Sequence, residues 1–315
     1  MFFFRFLIRR VLYVIPMIFV VTLIVFSLIL LIPGDPVLVL LGENATAEKV
    51  AQLKQQLGLD KPIIVQYFYW LTNAIQGDLG RSIFTSELVS EVVFQRLLVT
   101  LQLVIAAMII AITVGIFLAI MSVYYFNTWI DYFVRLISTL GIAVPHFLFA
   151  MILVILFSLK LNWLPATGFT SIAESPSSFL QEIALPAFSL SIGGIALITR
   201  HLRSALLEAL DADYIRTAYS KGASRWQALF KHGLQNAMLP VVTTIGLLFG
   251  NTLGATVVIE SIFAIPGMGQ LAVGAILQRD FTMVQGVVLV MFVMVIVINL
   301  ITDIVYALLD PRIEY

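Results

Sequence analysis

Val11 to Ile32 is a run of 22 residues without a charge. A helix needs about 20 residues at 1.5 Å each to cross a hydrocarbon core of ~30 Å. Seventeen of the 22 are Val, Ile, Leu or Phe, and at roughly −0.3 to −0.6 kcal/mol each they favour insertion by about 5–10 kcal/mol. Arg5, Arg9 and Arg10 precede the run, which raises a signal peptide as the competing reading. The run is too long for a signal h-region, and Pro33-Gly34-Asp35-Pro36 is not a small-x-small cleavage site. It reads as a retained first transmembrane helix. Five further apolar runs follow, at Leu97–Tyr124, Tyr132–Leu159, Leu185–Thr199, Ala237–Ile259 and Val284–Leu309. The fourth is the shortest and carries Gly193-Gly194, which allows close helix packing.

These six spans define the fold class: an all-α polytopic membrane protein with both termini on one side. Hydrophobic residues make up 61% of the chain and charged ones 11%, against about 25% charged in soluble domains. Lys/Arg asymmetry sets the side. Eleven basic residues fall in the N-terminus, at Arg135, in the Arg200–Lys231 region and at Arg312, and only Lys160 and Arg279 in the opposite short loops. Both termini are therefore expected in the cytoplasm. The chain divides into residues 1–32 (N-terminus and first helix), an extracytoplasmic segment 33–96, a five-helix core 97–309 with a cytoplasmic loop at 201–236, and a tail 310–315.

Segment 33–96 reads as a small helical layer. Thr46 caps a helix that Gly58 ends; Asp60 and Pro62 start another through Leu71, with Gly77 at its end. A plain solvated loop is the other reading. Tyr67, Tyr69 and Trp70 suit a membrane interface. Glu87–Leu98 reads as an amphipathic elbow into the second span.

Several chemistries are excluded or unsupported. There is no G-x-x-x-x-G-K-[ST] phosphate loop, so the chain does not bind ATP by that means, and no H-E-x-x-H, G-x-S-x-G or dinucleotide fingerprint occurs. With no cysteine, disulfides and thiolate metal sites are excluded. A formal net charge of zero suggests no nucleic-acid partner. His146, His201 and His232 are too far apart in sequence to suggest a shared metal site. Asp303 in the sixth span and Glu260 near the outer end of the fifth are expected to snorkel or pair with a cation rather than relay protons. A proton- or sodium-coupled carrier needs polar groups near the midplane; their sparseness suggests an external energy source.

The segment Asp213–Pro240 is the most informative. Asp211 or Asp213 can cap a short helix that Gly222 stops, and Ser224-x-x-Gln227 is a capping box that opens a second. Trp226, Leu229 and Phe230 share a face at i, i+3, i+4 spacing. Arg216, Lys221, Arg225 and Lys231 add positive charge. Two short helices thus meet at a glycine bend, either lying on anionic lipid or filling a groove on a cytoplasmic partner.

This segment resembles the coupling motif of ABC-importer permeases, of general form E-A-A-x3-G-x9-I-x-L-P. Gly222 falls on the motif glycine, Arg216-Thr217-Ala218 stands at E-A-A, His232 takes the Ile position, and Gln235 replaces the proline, which comes later at Pro240. The departures resemble the dipeptide/oligopeptide/nickel branch, Y-I-R-T-A-x-x-K-G then H-x-L-x-N-A-x-x-P, here Tyr214–Gly222 and His232–Pro240. Pro33–Pro36, Leu57–Asp60, Gln66-Tyr67, Gly77–Gly80, Trp163–Pro165, Pro266–Gly269, Arg279-Asp280 and Asp310–Arg312 are similar to landmarks of that branch in the same order. The subunit type is the one with a long outer segment after the first helix.

The resemblance implies type I importer architecture and a permease that is not itself an enzyme. It implies a second homologous permease, two cytoplasmic ATPases that carry ATP and Mg, an extracytoplasmic binding protein, and a bacterial cytoplasmic membrane. It assigns ATPase coupling to Tyr214, Arg216, Thr217, Ala218, Lys221, Gly222, Trp226 and His232. Di- or oligopeptides are the implied cargo, with glutathione, a nickel chelate, an opine or a sugar as alternatives. Pro145 should kink the third span, and His146 beside it faces either the path or a helix–helix hydrogen bond. The Phe263–Gln270 turn, with Phe263, Pro266 and Gly267, forms an outer gate, a binding-protein contact or an ordinary turn. A self-contained carrier or channel is the reading from a different class; an intramembrane enzyme is more distant.

Overall fold

The computed structural model describes residues 2–31, 46–56 and 60–309. Among them every regular element is helical: α1 (Phe2–Leu31), α2 (Ala47–Gln56), α3 (Ile63–Ile75), α4 (Val89–Tyr124), α5 (Trp129–Ala143), α6 (His146–Lys160), α7 (Pro176–Asp211), α8 (Asp213–Ser220), α9 (Arg225–Phe263), α10 (Met268–Gln278) and α11 (Phe281–Leu309). The Pro33–Pro36 and Asp310–Arg312 landmarks and Gly58 lie outside the described residues.

Four helices, α4, α7, α9 and α11, are each long and apolar enough to cross a membrane, and the α5–α6 pair adds a fifth if taken as one bent span. In α1 the apolar stretch is Leu12–Ser27. The chain is thus an all-α polytopic membrane protein. Near the start of α1, Arg10 meets Asp303 near the end of α11 at 2.8 Å. The start of α1 and the end of α11 therefore share one end of the bundle, and Asp303 is paired as the sequence suggests.

Two spans depart from their sequence limits for physical reasons. The third, expected as one kinked helix over Tyr132–Leu159, is two helices bent by 107°. Val144 (φ −87°, ψ 123°) and Pro145 (φ −60°, ψ 139°) are both extended. Proline disfavours helix in the residue before it and has no N–H to donate, so the ladder stops at Ala143 and restarts when Leu148 N–H reaches the Pro145 carbonyl. The fourth, expected over Leu185–Thr199, is the apolar middle of the 36-residue α7. Two of the polar residues that end its apolar run have partners: His201 Nδ1 lies 2.8 Å from Thr244 Oγ1, and Arg203 holds Asp131. The Glu87–Leu98 elbow is for most of its length the first turns of α4.

The core is built on α7, which packs along α4, α9, α5 and α6. At the α4–α7 crossing a Cβ on Gly115 would lie 2.9 Å from Ile198 Cβ, and one on Gly194 would lie 2.9 Å from Ala111 Cβ. Small residues let the backbones approach, the means by which helices associate in lipid. One buried cluster gathers Val104, Ile198, Leu202, Leu206, Leu229 and Val241; another gathers Leu103, Leu153, Phe179, Ile183, Ile259 and Phe263.

The outer helices form as the pattern predicts. Lys49 N–H reaches Thr46 Oγ1 at 3.4 Å before α2, and Gly77, past the end of α3, has φ +85°. Tyr69 is exposed, but Tyr67 is not at a wetted interface: it is 4% exposed, its hydroxyl 2.9 Å from Thr22 Oγ1, with Phe19 and Phe26 edge-on to its ring. It pins α3 to α1.

Between α4, α5 and α7 lies a buried ion pair. Asp131 is fully buried; it accepts from Arg203 Nε and Nη2, both at 3.0 Å, and from Ser122 Oγ at 2.5 Å. Removing one partner of such a pair leaves an uncompensated charge and costs about 3–5 kcal/mol, more than replacing both by well-packed apolar groups. Arg203→Leu is expected to lower the thermal midpoint of the detergent-solubilised chain sharply, and Asp131→Leu combined with Arg203→Leu to restore part of it, as read by a melting curve.

Candidate functional site

The linker from α7 to α9 is short and rigidly held. Residues 201–211 complete α7 and residues 225–236 open α9, so only 212–224, most of it α8, stands apart. Within Asp213–Ser220 the single large aliphatic residue, Ile215, is fully buried and anchors α8 to the bundle. Asn236 Nδ2 on α9 donates to Tyr214 Oη at 3.1 Å, which ties the two helices together, and to the carbonyl of His232, a half-buried residue of its own helix, at 3.1 Å.

Gly222 ends α8. Its N–H reaches the Tyr219 carbonyl at 2.9 Å, and Ala223 N–H reaches the Ala218 carbonyl at 3.1 Å, the paired bonds of a Schellman end. Its φ is +86° and a Cβ there would meet nothing within 4 Å. Backbone conformation, not lack of space, requires glycine at this position. Ser224 then caps the next helix: Gln227 N–H donates to Ser224 Oγ at 3.3 Å and Ser224 N–H to Gln227 Oε1 at 3.0 Å. The second helix is not short, because α9 continues through a π-helical turn at Ala228–Gly233 into the bundle.

The expected apolar face divides. Leu229 is 1% exposed and belongs to the core. Trp226 stays 53% exposed, its ring 4.1 Å from Phe230 and 5.6 Å from Tyr124. Arg225 lies over Tyr124 and donates to the Val123 carbonyl at 3.4 Å. What faces outward is Tyr214, Arg216, Thr217, Tyr219 and Lys221, with Ala218 half-buried among them. Arg216 is held loosely by Asp213 at 3.6 Å and Asp211 at 3.9 Å, all three largely exposed, so it remains available. Tyr219, Ile215 and Asn236 were not singled out from the sequence. Ile215, the one large aliphatic residue in an otherwise polar and aromatic helix, was the signal that could have oriented α8.

The other candidate positions lie elsewhere. His146 opens α6 against Gly193 of α7, where a Cβ would lie 2.7 Å from its Cε1, and its Nδ1 is buried with no hydrogen-bond partner among the described residues. Phe263 is 1% exposed and its carbonyl accepts from Gly168 N–H at 3.2 Å, so its ring belongs to the core. Pro266 is half-buried, and its carbonyl accepts from Arg96 Nη1 at 3.0 Å.

Glu260 does not snorkel, and it makes no salt bridge among the described residues. Fully buried, it accepts from Thr100 Oγ1 at 2.6 Å, Gly269 N–H at 2.7 Å and Gln270 N–H at 3.1 Å. Met268 N–H donates to Thr100 Oγ1 at 2.8 Å. The carboxylate thus sits at the N-terminus of α10, where free N–H groups and the helix dipole favour a negative charge. Gly267 leaves the room, since a Cβ there would overlap the Glu260 carboxylate. Among the described residues no group of three or more His, Asp or Glu is placed to hold a metal.

A bundle of long apolar helices, with an exposed helix held against two of them, defines a polytopic membrane protein, and comparison with known proteins gives its family. The family described as binding-protein-dependent transport system inner membrane component matches residues 111–315, and the N-terminal part of that system's membrane component matches residues 3–104. A putative peptide transport system permease protein of Brucella suis biovar 1 is 41% identical over 98% of this chain and 98% of its own. A glutathione transport system permease protein of Escherichia coli O6:H1 is 37% identical over 99% of both. The inward-facing MetNI methionine ABC transporter superposes with a TM-score of 0.55 at 17% identity, covering 70% of this chain and 96% of that one. The chain belongs to the binding-protein-dependent transport permeases, the membrane subunits of ABC importers.

Glu260→Ala strands three donors, among them the buried Gly269 N–H and the part-buried Gln270 N–H. At about 1–3 kcal/mol for each unsatisfied group, the α9–α10 turn should open. Hydrogen exchange of the Gly269 and Gln270 amides is expected to accelerate strongly while amides in the middle of α7 stay protected.

Proposed function

We propose that this chain carries di- or oligopeptides across the bacterial cytoplasmic (inner) membrane as one of two homologous permeases, crossing six times with both termini cytoplasmic. Two cytoplasmic ATPases hold the ATP and Mg, and the chain itself binds neither. An extracytoplasmic binding protein delivers the solute. The observation that carries this reading is α8: an exposed helix bearing Tyr214, Arg216, Tyr219 and Lys221, fixed to the bundle by Ile215 and by the Tyr214–Asn236 bond. A partner that moves α8 moves α7 and α9 with it. Thr217, Ala218 and Gly222 shape the contact, Trp226 flanks it, and His232 supports it from α9. Pro145 and His146, at the break against α7, are placed on the path.

Support for the topology comes from the shared end of α1 and α11 and from the eleven Lys/Arg residues assigned to that side. Support for peptide cargo comes from relatives named as peptide permeases. A glutathione permease is also a relative, so the ligand of the cognate binding protein separates a general peptide from glutathione.

Gly222→Asp tests the assignment. No neighbour crowds the site, so the chain should insert and assemble. Asp tolerates the left-handed backbone at a small cost but places a carboxylate beside Arg216 and Lys221. In proteoliposomes with ATPases and binding protein, uptake of a labelled dipeptide is expected to fall at least about tenfold, a barrier change of ~1.4 kcal/mol, while ATP hydrolysis continues. Normal uptake would remove the coupling role.

A further inference from the structure

A cavity of about 370 Å³ opens between α5 and α7, lined on α5 by Arg135, Ser138 and Thr139 and on α7 by Arg200, Arg203 and Ser204. Its volume falls within the ~300–1,000 Å³ of small-ligand sites. Three guanidinium groups line it and no acid does. Asp131, behind it, neutralises one of them: Arg203 is bound to both its oxygens at 3.0 Å, and Arg135 reaches it only at 3.6 Å. Arg200 is exposed and makes no ion pair or side-chain hydrogen bond among the described residues. The cavity thus carries about two uncompensated positive charges, and Arg guanidinium matches phosphate oxygens bidentately.

The surroundings identify the source of the anion. The adjoining face of α5 is apolar and bare: Tyr132 is 58%, Leu136 56% and Leu140 52% exposed. Arg135 lies over the Tyr132 ring at 4.4 Å, a cation at the boundary between cavity and apolar strip. An oxyanion at Arg200 with hydrocarbon along Leu136 and Leu140 is the shape of a phospholipid. Basic pockets between transmembrane helices on the cytoplasmic side suit anionic headgroups. We propose that the α5–α7 cavity binds the phosphate headgroup of an anionic lipid through Arg200 and Arg135. The placement rests on the topology proposed above, which puts Arg135 and Arg200 at the cytoplasmic face.

Native mass spectrometry of the full chain, released from micelles holding phosphatidylglycerol and phosphatidylcholine in equal amounts, tests this. At ~1 kcal/mol per basic residue near the surface, wild type is expected to retain phosphatidylglycerol over phosphatidylcholine by a factor of at least about five. Arg200→Gln should lower that ratio about fivefold, leaving what Arg135 retains, and Arg200→Lys should keep most of it, both melting at the wild-type temperature. Undiminished enrichment in Arg200→Gln, or equal retention of the two lipids by wild type, overturns the proposal. Displacement of the lipid by inorganic phosphate would assign the site to free phosphate and overturn the lipid source. Ser204→Cys, the sole thiol in a chain without cysteine, should react with a membrane-impermeant maleimide from the cytoplasmic face. Labelling from the outside would overturn the topology, a failure separate from that of the anion site.

Discussion

Where α4 crosses α7, Gly115 and Gly194 remove the side chains that would hold the two backbones apart, and a Cβ on either would lie 2.9 Å from its neighbour. In lipid no hydrophobic force draws helices together, so association depends on such close contact and on polar bonds between helices. The fit fixes the axis of α7, and α7 in turn fixes α5, α6 and α9, which pack against it. Gly193, next along α7, makes room for His146 on α6. At the other end, Arg203 reaches Asp131 and Ser122 and sets the separation of α5 from α4. The helix that leads into α8 is therefore held along its length.

The other arm of the exposed linker is α9. It begins at the Ser224 capping box and carries Glu260 near its far end. At 1.5 Å per residue these lie about 54 Å apart along one helix. Two features interrupt regular bonding, and both are near α8. One is the π-helical turn at Ala228–Gly233; the other is Pro240, which has no N–H for the Asn236 carbonyl. The helix is thus most compliant beside α8 and regular further in. At its far end the carboxylate of Glu260 binds the start of α10 and so ties α9 to the turn that follows it.

How much of this was legible depended on whether a feature is local. Apolar runs revealed the spans because lipid selects composition residue by residue. The Gly222 bend, the Ser224 box and the end of α3 at Gly77 could be read because caps and glycine ends depend on a few adjacent residues. The limits of α7 could not, because whether Arg203 ends a membrane helix depends on Asp131, 72 positions away. Nor could the inward turn of Leu229, which is set by packing against α7. The bend at Pro145 was foreseen, but its size follows from two consecutive extended residues, and only one of them is proline. Glu260 was misread for a similar reason: its partners are backbone groups and a threonine 160 positions earlier, not a cation.

The buried acids share a solution that bears on the proposed coupling. Asp131 lies in the first turn of α5, Asp280 precedes α11 and Glu260 stands against the start of α10. Each is saturated with donors: Asp131 by Arg203 and Ser122, Asp280 by Ser82 Oγ at 2.5 Å and Met283 N–H at 3.1 Å, Glu260 by Thr100 and two amides. Each of these acids therefore fastens the start of a helix. The exposed face of α8, with mobile cations on a rigid support, has the opposite character. Ile215 and the Tyr214–Asn236 bond join α8 to the two long helices that these acids help to fasten, and the proposed ATPase coupling depends on that join.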